Sequence, residues 1–334
     1  MPAKIRFQGV KATLVAAMLA STLVGCAQLP PDASVTPVSF RACEVVPPSD
    51  TVSQIPEMVD AAVKETVVVK GIKRSVVAAD AKDLEKTVAK FATQHCNHVL
   101  VAGNGYVSAL SAVSVKYPKL NFSLVTTDNA RWFSDNDATN VSVFQIDQRE
   151  AGLMAGYVSA AISASHSVAV TTNSAADSPY ILGVKAGLQA WDSENFTSTE
   201  FQLIAGNVSE VVNQTTADVM LPFQIDQEIP ALGTFADTYK WLLIGYGSDL
   251  ATLPSLSDLQ STVGATVVPL VKEHVVSNLS ASLEGDFIGG NAGYVLAQFG
   301  NGALVLSDSQ QPRINTELRA NLLKLSQDYE SRNN

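Results

Sequence analysis

Cysteine is scarce in this chain, three in 334 residues, and none falls in a C-x-x-C pair. There is also no G-x-x-x-x-G-K-[ST] phosphate loop and no G-x-S-x-G nucleophile elbow. The four histidines, His95, His98, His166 and His274, are scattered. His95 and His98 flank Cys96 where a helix ends, which does not make a shared metal site. Gly103-Asn104-Gly105 follows a strand and opens a helix, but Ser108 stands where a dinucleotide fingerprint needs its third glycine. No nucleophile, base and orienter assemble, so neither an enzyme nor a cofactor or metal is expected. Basic residues are short as well: 22 Lys and Arg face 32 Asp and Glu, for a net charge of −10. Nucleic acid and anionic lipid surfaces reward basic proteins and are thereby excluded as partners.

What the sequence does carry begins at its N-terminus. Lys4, Arg6 and Lys11 precede an uncharged run, residues 12–25, too short to span a bilayer comfortably. This is the pattern of an export signal. It ends Leu23-Val24-Gly25-Cys26, which resembles a bacterial lipobox, in which the cysteine is lipidated and becomes the first mature residue. Ala27 stands where an Asp would retain a lipoprotein in a Gram-negative inner membrane. The expectation is a signal peptide over 1–25, lipid on Cys26, and a tether over 26–37 punctuated by Pro30, Pro31 and Pro37. The first 25 residues hold three basic groups and no acid, so their removal leaves 19 basic against 32 acidic residues, near −13. The remaining roughly 300 residues exceed what one core usually supports, and two lobes are expected.

From residue 38 onward the pattern is strand, helix, strand. Residues 144–188 read as a strand, a helix from Asp147 through Tyr157, an apolar strand around 168–170, and a second helix containing Gly183 to Gly187. Parallel neighbours need such crossovers, so this is an α/β layer protein. Ala151, Gly152, Ala155 and Gly156 put a smooth ridge on one helix face, suited to close approach to a sheet. A helix after Asp80, a candidate N-cap, spaces Leu84, Val88 and Phe91 at i, i+4 and i+7. Loops at the carboxyl ends of parallel strands bind ligands in open α/β sheets. By that rule Asn104, Tyr106 and Asp128 are candidate contacts. Cys43, in the first strand, and Cys96, before the third, form either a disulfide or two buried thiols. A 2-1-3 strand order would make those strands neighbours, and the bond would close about 50 residues, worth about 3 to 4 kcal/mol.

At this point a family resemblance emerges. Tyr117-Pro118, then Asn121-Phe122, then Glu150-Ala151-Gly152-Leu153-Met154-Ala155-Gly156 resemble the basic membrane protein family, substrate-binding lipoproteins of ABC transporters that include PnrA-like purine nucleoside receptors. Gly183-Val184-Lys185-Ala186-Gly187 is similar to the family's G-F-x-A-G, and Ala217-Asp218-Val219 to its G-A-D-V. The run Trp241-Leu242-Leu243-Ile244-Gly245-Tyr246-Gly247-Ser248-Asp249 is similar to its W-V-I-G-x-D-x-D-Q. The cysteine pair resembles one found in actinobacterial members. The resemblance spans residues 38–310.

It implies a type I periplasmic-binding-protein fold: two doubly wound parallel-sheet lobes joined by three crossings, near 144–148, 246–262 and 286–302. The implied lobes are 38–145 plus 250–286, and 146–249 plus 287–334. A small polar metabolite, a purine nucleoside among them, would sit between the lobes and pass to an ABC permease on the extracytoplasmic side of the membrane. The departures are specific. Pro47-Pro48-Ser49-Asp50-Thr51 lacks the family's stacking Phe, Thr171-Thr172 replaces a G-G, and Pro222-Phe223-Gln224-Ile225-Asp226 replaces a glycine-rich turn. Gly247 falls where the ribose-binding Asp belongs, with Asp249 as the second acid. Lys272 matches the ligating Lys, with Pro269 in place of a Ser. Asp249 and Lys272 are the expected polar ligands, and Tyr106, Trp132, Tyr180 and Phe223 the expected stacking partners. The alternative is an exported structural or sensory lipoprotein that kept the fold and lost its ligand site.

Overall fold

The computed structural model describes residues 39–48, 54–205, 215–223, 229–307 and 313–333. The expected signal peptide (1–25), Cys26 and the tether (26–37) lie outside these residues, as do 49–51 and 224–226 of the divergent segments. No helix among the described residues is long and apolar enough to cross a membrane.

The chain alternates as its hydrophobic pattern demands. Strands β1 (Arg41–Val46), β2 (Lys73–Ala78), β3 (His98–Ala102), β4 (Asn121–Thr126) and β5 (Val141–Ile146) are separated by α1 (Ile55–Lys70), α2 (Leu84–Thr93), α3 (Val107–Lys116) and the short α4 (Arg131–Asp135). There follow α5 (Gln148–Ile162), β6 (Ser167–Thr172), α6 (Pro179–Asn195), β7 (Glu200–Ile204) and β8 (Val219–Phe223). Next come α7 (Ile229–Tyr239), β9 (Leu242–Tyr246), β10 (Val263–Pro269), α8 (Val271–Glu284), β11 (Tyr294–Ala297), β12 (Leu304–Ser307) and α9 (Thr316–Asn333). Leu84, Val88 and Phe91 are fully buried, as their spacing predicts. Asp80 precedes a 3-10 turn at Ala81–Asp83 and makes no side-chain cap there; it pairs with Lys82 instead.

Two six-stranded sheets result, ordered β2-β1-β3-β4-β5-β11 and β7-β6-β8-β9-β10-β12. The second repeats the doubly wound 2-1-3-4-5 order of the first. Every observed pairing is parallel except the edge strand β12 against β10. β1 does neighbour β3, and Cys43 and Cys96 are joined in a disulfide across that pair, with Cα atoms 6.0 Å apart.

The chain passes between sheets three times, at 146–148, 269–271 and 297–304. The second passage lies later than the sequence suggests, because β10 pairs with β9 before the chain returns to the first sheet's helix α8. Residues 263–269 therefore lie in the second sheet, while β11 pairs with β5 in the first. The ridge on α5 also has a different partner from the expected sheet. A Cβ on Gly152 would sit 2.1 Å from the Tyr180 carbonyl oxygen, and one on Gly156 2.1 Å from that of Val184. On α6, Gly183 and Gly187 stand in the same relation to Arg149 and Leu153. Four glycines thus let two helices touch backbone to backbone, fixing α6 on α5 just beyond the first crossing.

Candidate functional site

The strands of both sheets end near the crossings, and there the two lobes meet. Asp147 ends the first crossing and caps α5: its Oδ1 accepts from the amides of Arg149 (3.1 Å) and Glu150 (3.0 Å). A short polar side chain in extended backbone before an amphipathic run is why the helix starts there. Its amide donates to the Ala297 carbonyl at 3.2 Å, binding the first crossing to the third, and Gln298 Nε2 reaches its Oδ2 at 3.5 Å. Glu150, one turn on, is fully buried. It accepts from the Phe299 amide at 3.2 Å and from the Ser326 hydroxyl. Burial pushes its carboxyl up to about 7.

Beside this junction lies a cavity of about 370 Å³, within the range that holds a small metabolite. The first lobe contributes Thr127, Asn129 and Arg131, and the second Gln148 and Arg149, with Gln145 and Gln298 at the crossings. Gln145 is held by the Ala130 amide and the Tyr294 hydroxyl, both at 2.8 Å. Among the described residues no aromatic side chain lines the space.

The residues singled out by sequence divide sharply. Asn104 Oδ1 accepts from the Thr127 amide at 2.9 Å, and its Nδ2 donates to Thr127 Oγ1 at 2.7 Å. Asp128 accepts from the Gly105 amide at 2.5 Å. These two tie the loops after β3 and β4 together and so position Thr127 at the cavity. Tyr106 is instead a core residue, 2% exposed, with its hydroxyl on the Ala79 carbonyl at 2.5 Å. Trp132 rests edge-on against Phe133 and does not line the cavity. Tyr180 and Phe223 stack on each other, centroids 4.2 Å apart and planes 11° off parallel, and Tyr246 packs against both. Both are buried, so each offers its ring face to the other.

Asp249 and Lys272 likewise have partners within the fold. Asp249 caps a 3-10 turn through the Ala251 amide at 3.1 Å and accepts from Ser307 at 2.6 Å. Lys272, over half exposed, pairs with Glu65 of α1 at 2.7 Å. At Gly247, φ is +98° and a Cβ would fall 1.5 Å from Gln54 Oε1. Gln54, which stands at the N-terminal boundary of α1 in the first lobe without a side-chain cap, fills the space where the resemblance expects a carboxylate. Sequence reasoning missed Arg131, Arg149 and Gln54. The carboxyl-end rule points to the loop after β4 that carries Arg131, but residue type there singles out Asp128 and Trp132.

Two Rossmann-like sheets with a polar cavity at their carboxyl ends, joined by three strands of chain, define a type I periplasmic-binding-protein fold. The model of the family described as "ABC transporter substrate-binding protein PnrA-like" matches residues 53–234, and the chain belongs to that family. No curated protein sequence matches it. Among solved structures, a solute-binding protein of an ABC transporter system from Conexibacter woesei is 16% identical, with 88% of this chain and 97% of that one covered and a TM-score of 0.63. One from Aeropyrum pernix is 15% identical over 87% and 86%, TM-score 0.62. A periplasmic solute-binding protein from Actinobacillus succinogenes with bound D-allose is 14% identical over 81% and 98%, TM-score 0.56. At these identities the likeness concerns the fold.

Proposed function

We propose that this protein is a non-enzymatic receptor, lipid-anchored outside the cytoplasm, that binds a small polar metabolite between its lobes and presents it to an ABC permease. The observation that carries this reading is the cavity at the crossings, walled by both lobes and lined by amides, hydroxyls and guanidinium groups. Purine nucleosides are the first ligands to try because of the family. The Gly247 and Gln54 contact argues that a ribose would not be held by the usual carboxylate. That same contact favours a second reading, a lipoprotein that retains the fold with its ligand site filled.

A thermal-shift screen with nucleosides, bases, sugars, amino acids and organic acids separates the two. Ligand at a hundredfold excess over Kd adds about 2.7 kcal/mol, readily seen as a raised Tm. A protein that responds to nothing would be the filled lipoprotein. The anchor is tested apart from the ligand: Cys26→Ala should leave the membrane fraction, and an intact mass showing unmodified Cys26 refutes it.

A further inference from the structure

We infer that the cleft is built for an anion, with Arg131 of the first lobe and Arg149 of the second converging on a carboxylate or phosphate group of the ligand. This deepens the receptor reading and rests on it. Both residues line the cavity at the crossings and both are exposed; Arg149 also borders a neighbouring cavity that holds Glu194 and Asp328. Neither has a carboxylate partner among the described residues: the seven ion pairs there involve other side chains. Arg131 does touch the Tyr294 hydroxyl, which leaves the rest of its guanidinium fork open. In a chain with 32 acidic and 22 basic residues, two unpaired arginines in one space are a local reversal of sign.

The one acid lining the cavity among the described residues does not cancel them. Asp147 spends Oδ1 on two amides at the start of α5 and has Gln298 at its Oδ2, so its charge is set against the positive end of that helix. The remaining lining is neutral and rich in donors: the amides of Gln148 and Gln298, Asn129 and the Thr127 hydroxyl. Guanidinium forks match planar carboxylates and phosphates bidentately. Among the described residues the lining offers a nucleobase no aromatic platform, whereas a hydroxylated acid would find donors on several sides. Because the arginines come from different lobes, they repel when the cleft is empty and share one counter-charge when it is filled. The anion would therefore also favour lobe closure.

Calorimetry on the purified protein at low salt tests this with matched probes. D-Galacturonate is compared with D-galactose, adenosine 5′-monophosphate with adenosine, and inorganic phosphate is titrated alone. At least one acid should bind tenfold or more tightly than its neutral twin, and the responding arm tells carboxylate from phosphate. Its affinity should fall tenfold to a hundredfold in Arg131→Gln and in Arg149→Gln, and should weaken with added salt. Lys116→Gln, a surface residue paired with Glu85, should bind as the parent does. Equal binding of the neutral twin, or acid binding unchanged in both arginine variants, would overturn the anion proposal while leaving a receptor for neutral solutes. No binding of any probe at millimolar concentration also overturns it, and only failure of the broader thermal screen would carry the receptor reading down too.

Discussion

At the scale of single residues, Glu150 shows what the sequence made visible and what it hid. Its place at the start of a helix could be read from the motif that contains it. Its partners, Phe299 and Ser326, lie 149 and 176 positions away, and no local pattern announces them. The same is true of Asp249 with Ser307 and Lys272 with Glu65: residue type suggested ligand contacts, and long-range neighbours had already used them. Glu150 also carries a measurable consequence. Burial raises its carboxyl from 4.5 to about 7, with Asp147 and Glu330 pushing the same way against the two hydrogen bonds. A carboxyl whose folded pKa exceeds its unfolded one favours the fold fully below the unfolded value. That contribution is lost as pH rises through about 7. Glu150→Gln keeps the shape without the charge, so it should stabilise the protein by about 2 to 3 kcal/mol at pH 8 relative to its effect at pH 4.5. Urea midpoints at the two pH values measure this, and an equal effect at both would mean that Glu150 stays ionised in the fold.

At the scale of elements, the helices and strands were legible because their hydrophobic periods are plain, while the partner of each face was not. The glycines of α5 marked a close approach correctly, yet nothing local distinguishes a sheet from a second helix as the surface approached. Only the matching pair Gly183 and Gly187, read together with Gly152 and Gly156, could have suggested helix on helix. The contact sets two opposed effects against each other in Gly156→Ala. Alanine improves helix propensity by about 1 kcal/mol, but its methyl would lie 2.1 Å from the Val184 carbonyl oxygen. Backbone cannot rotate away as a side chain can, so the helices must separate, and overpacking of this kind costs about 1 to 3 kcal/mol or more. A net loss of about 2 kcal/mol is expected in chemical denaturation. A stabilised variant would show that the helices are free to slide apart.

At the scale of the molecule, the duplicated sheet order followed from the family pattern, but the course of the chain between lobes did not. A strand that pairs in one sheet and feeds a helix of the other, as β10 does with α8, reads the same in sequence as one that stays. Helix α8 brings a further feature that only assembly creates, a buried polar seam on the first sheet. His98 is held by Ser282 (2.6 Å) and Ser123 (2.9 Å), and His274 by Asn278 (2.9 Å). Asn278 also donates to Ser123 and Ser142. Burial lowers His98 to about 3, helped by His274, and His274 to about 4, both from 6.5. The unfolded chain takes up these protons first, so the stability they confer is complete above pH 6.5 and is lost as pH falls toward the folded values. Between pH 6.5 and 5 each histidine should remove about 2 kcal/mol. Glu150, protonated in the fold over this interval while the unfolded chain still ionises it, returns about 2 kcal/mol, for a net loss of about 2. Glu150→Gln abolishes the return, so its acid loss over that interval should steepen to about 4 kcal/mol. Denaturant midpoints taken every half unit of pH from 7.5 to 5 decide it: a parent profile that is flat or rises toward acid would show that the buried histidines do not govern acid stability.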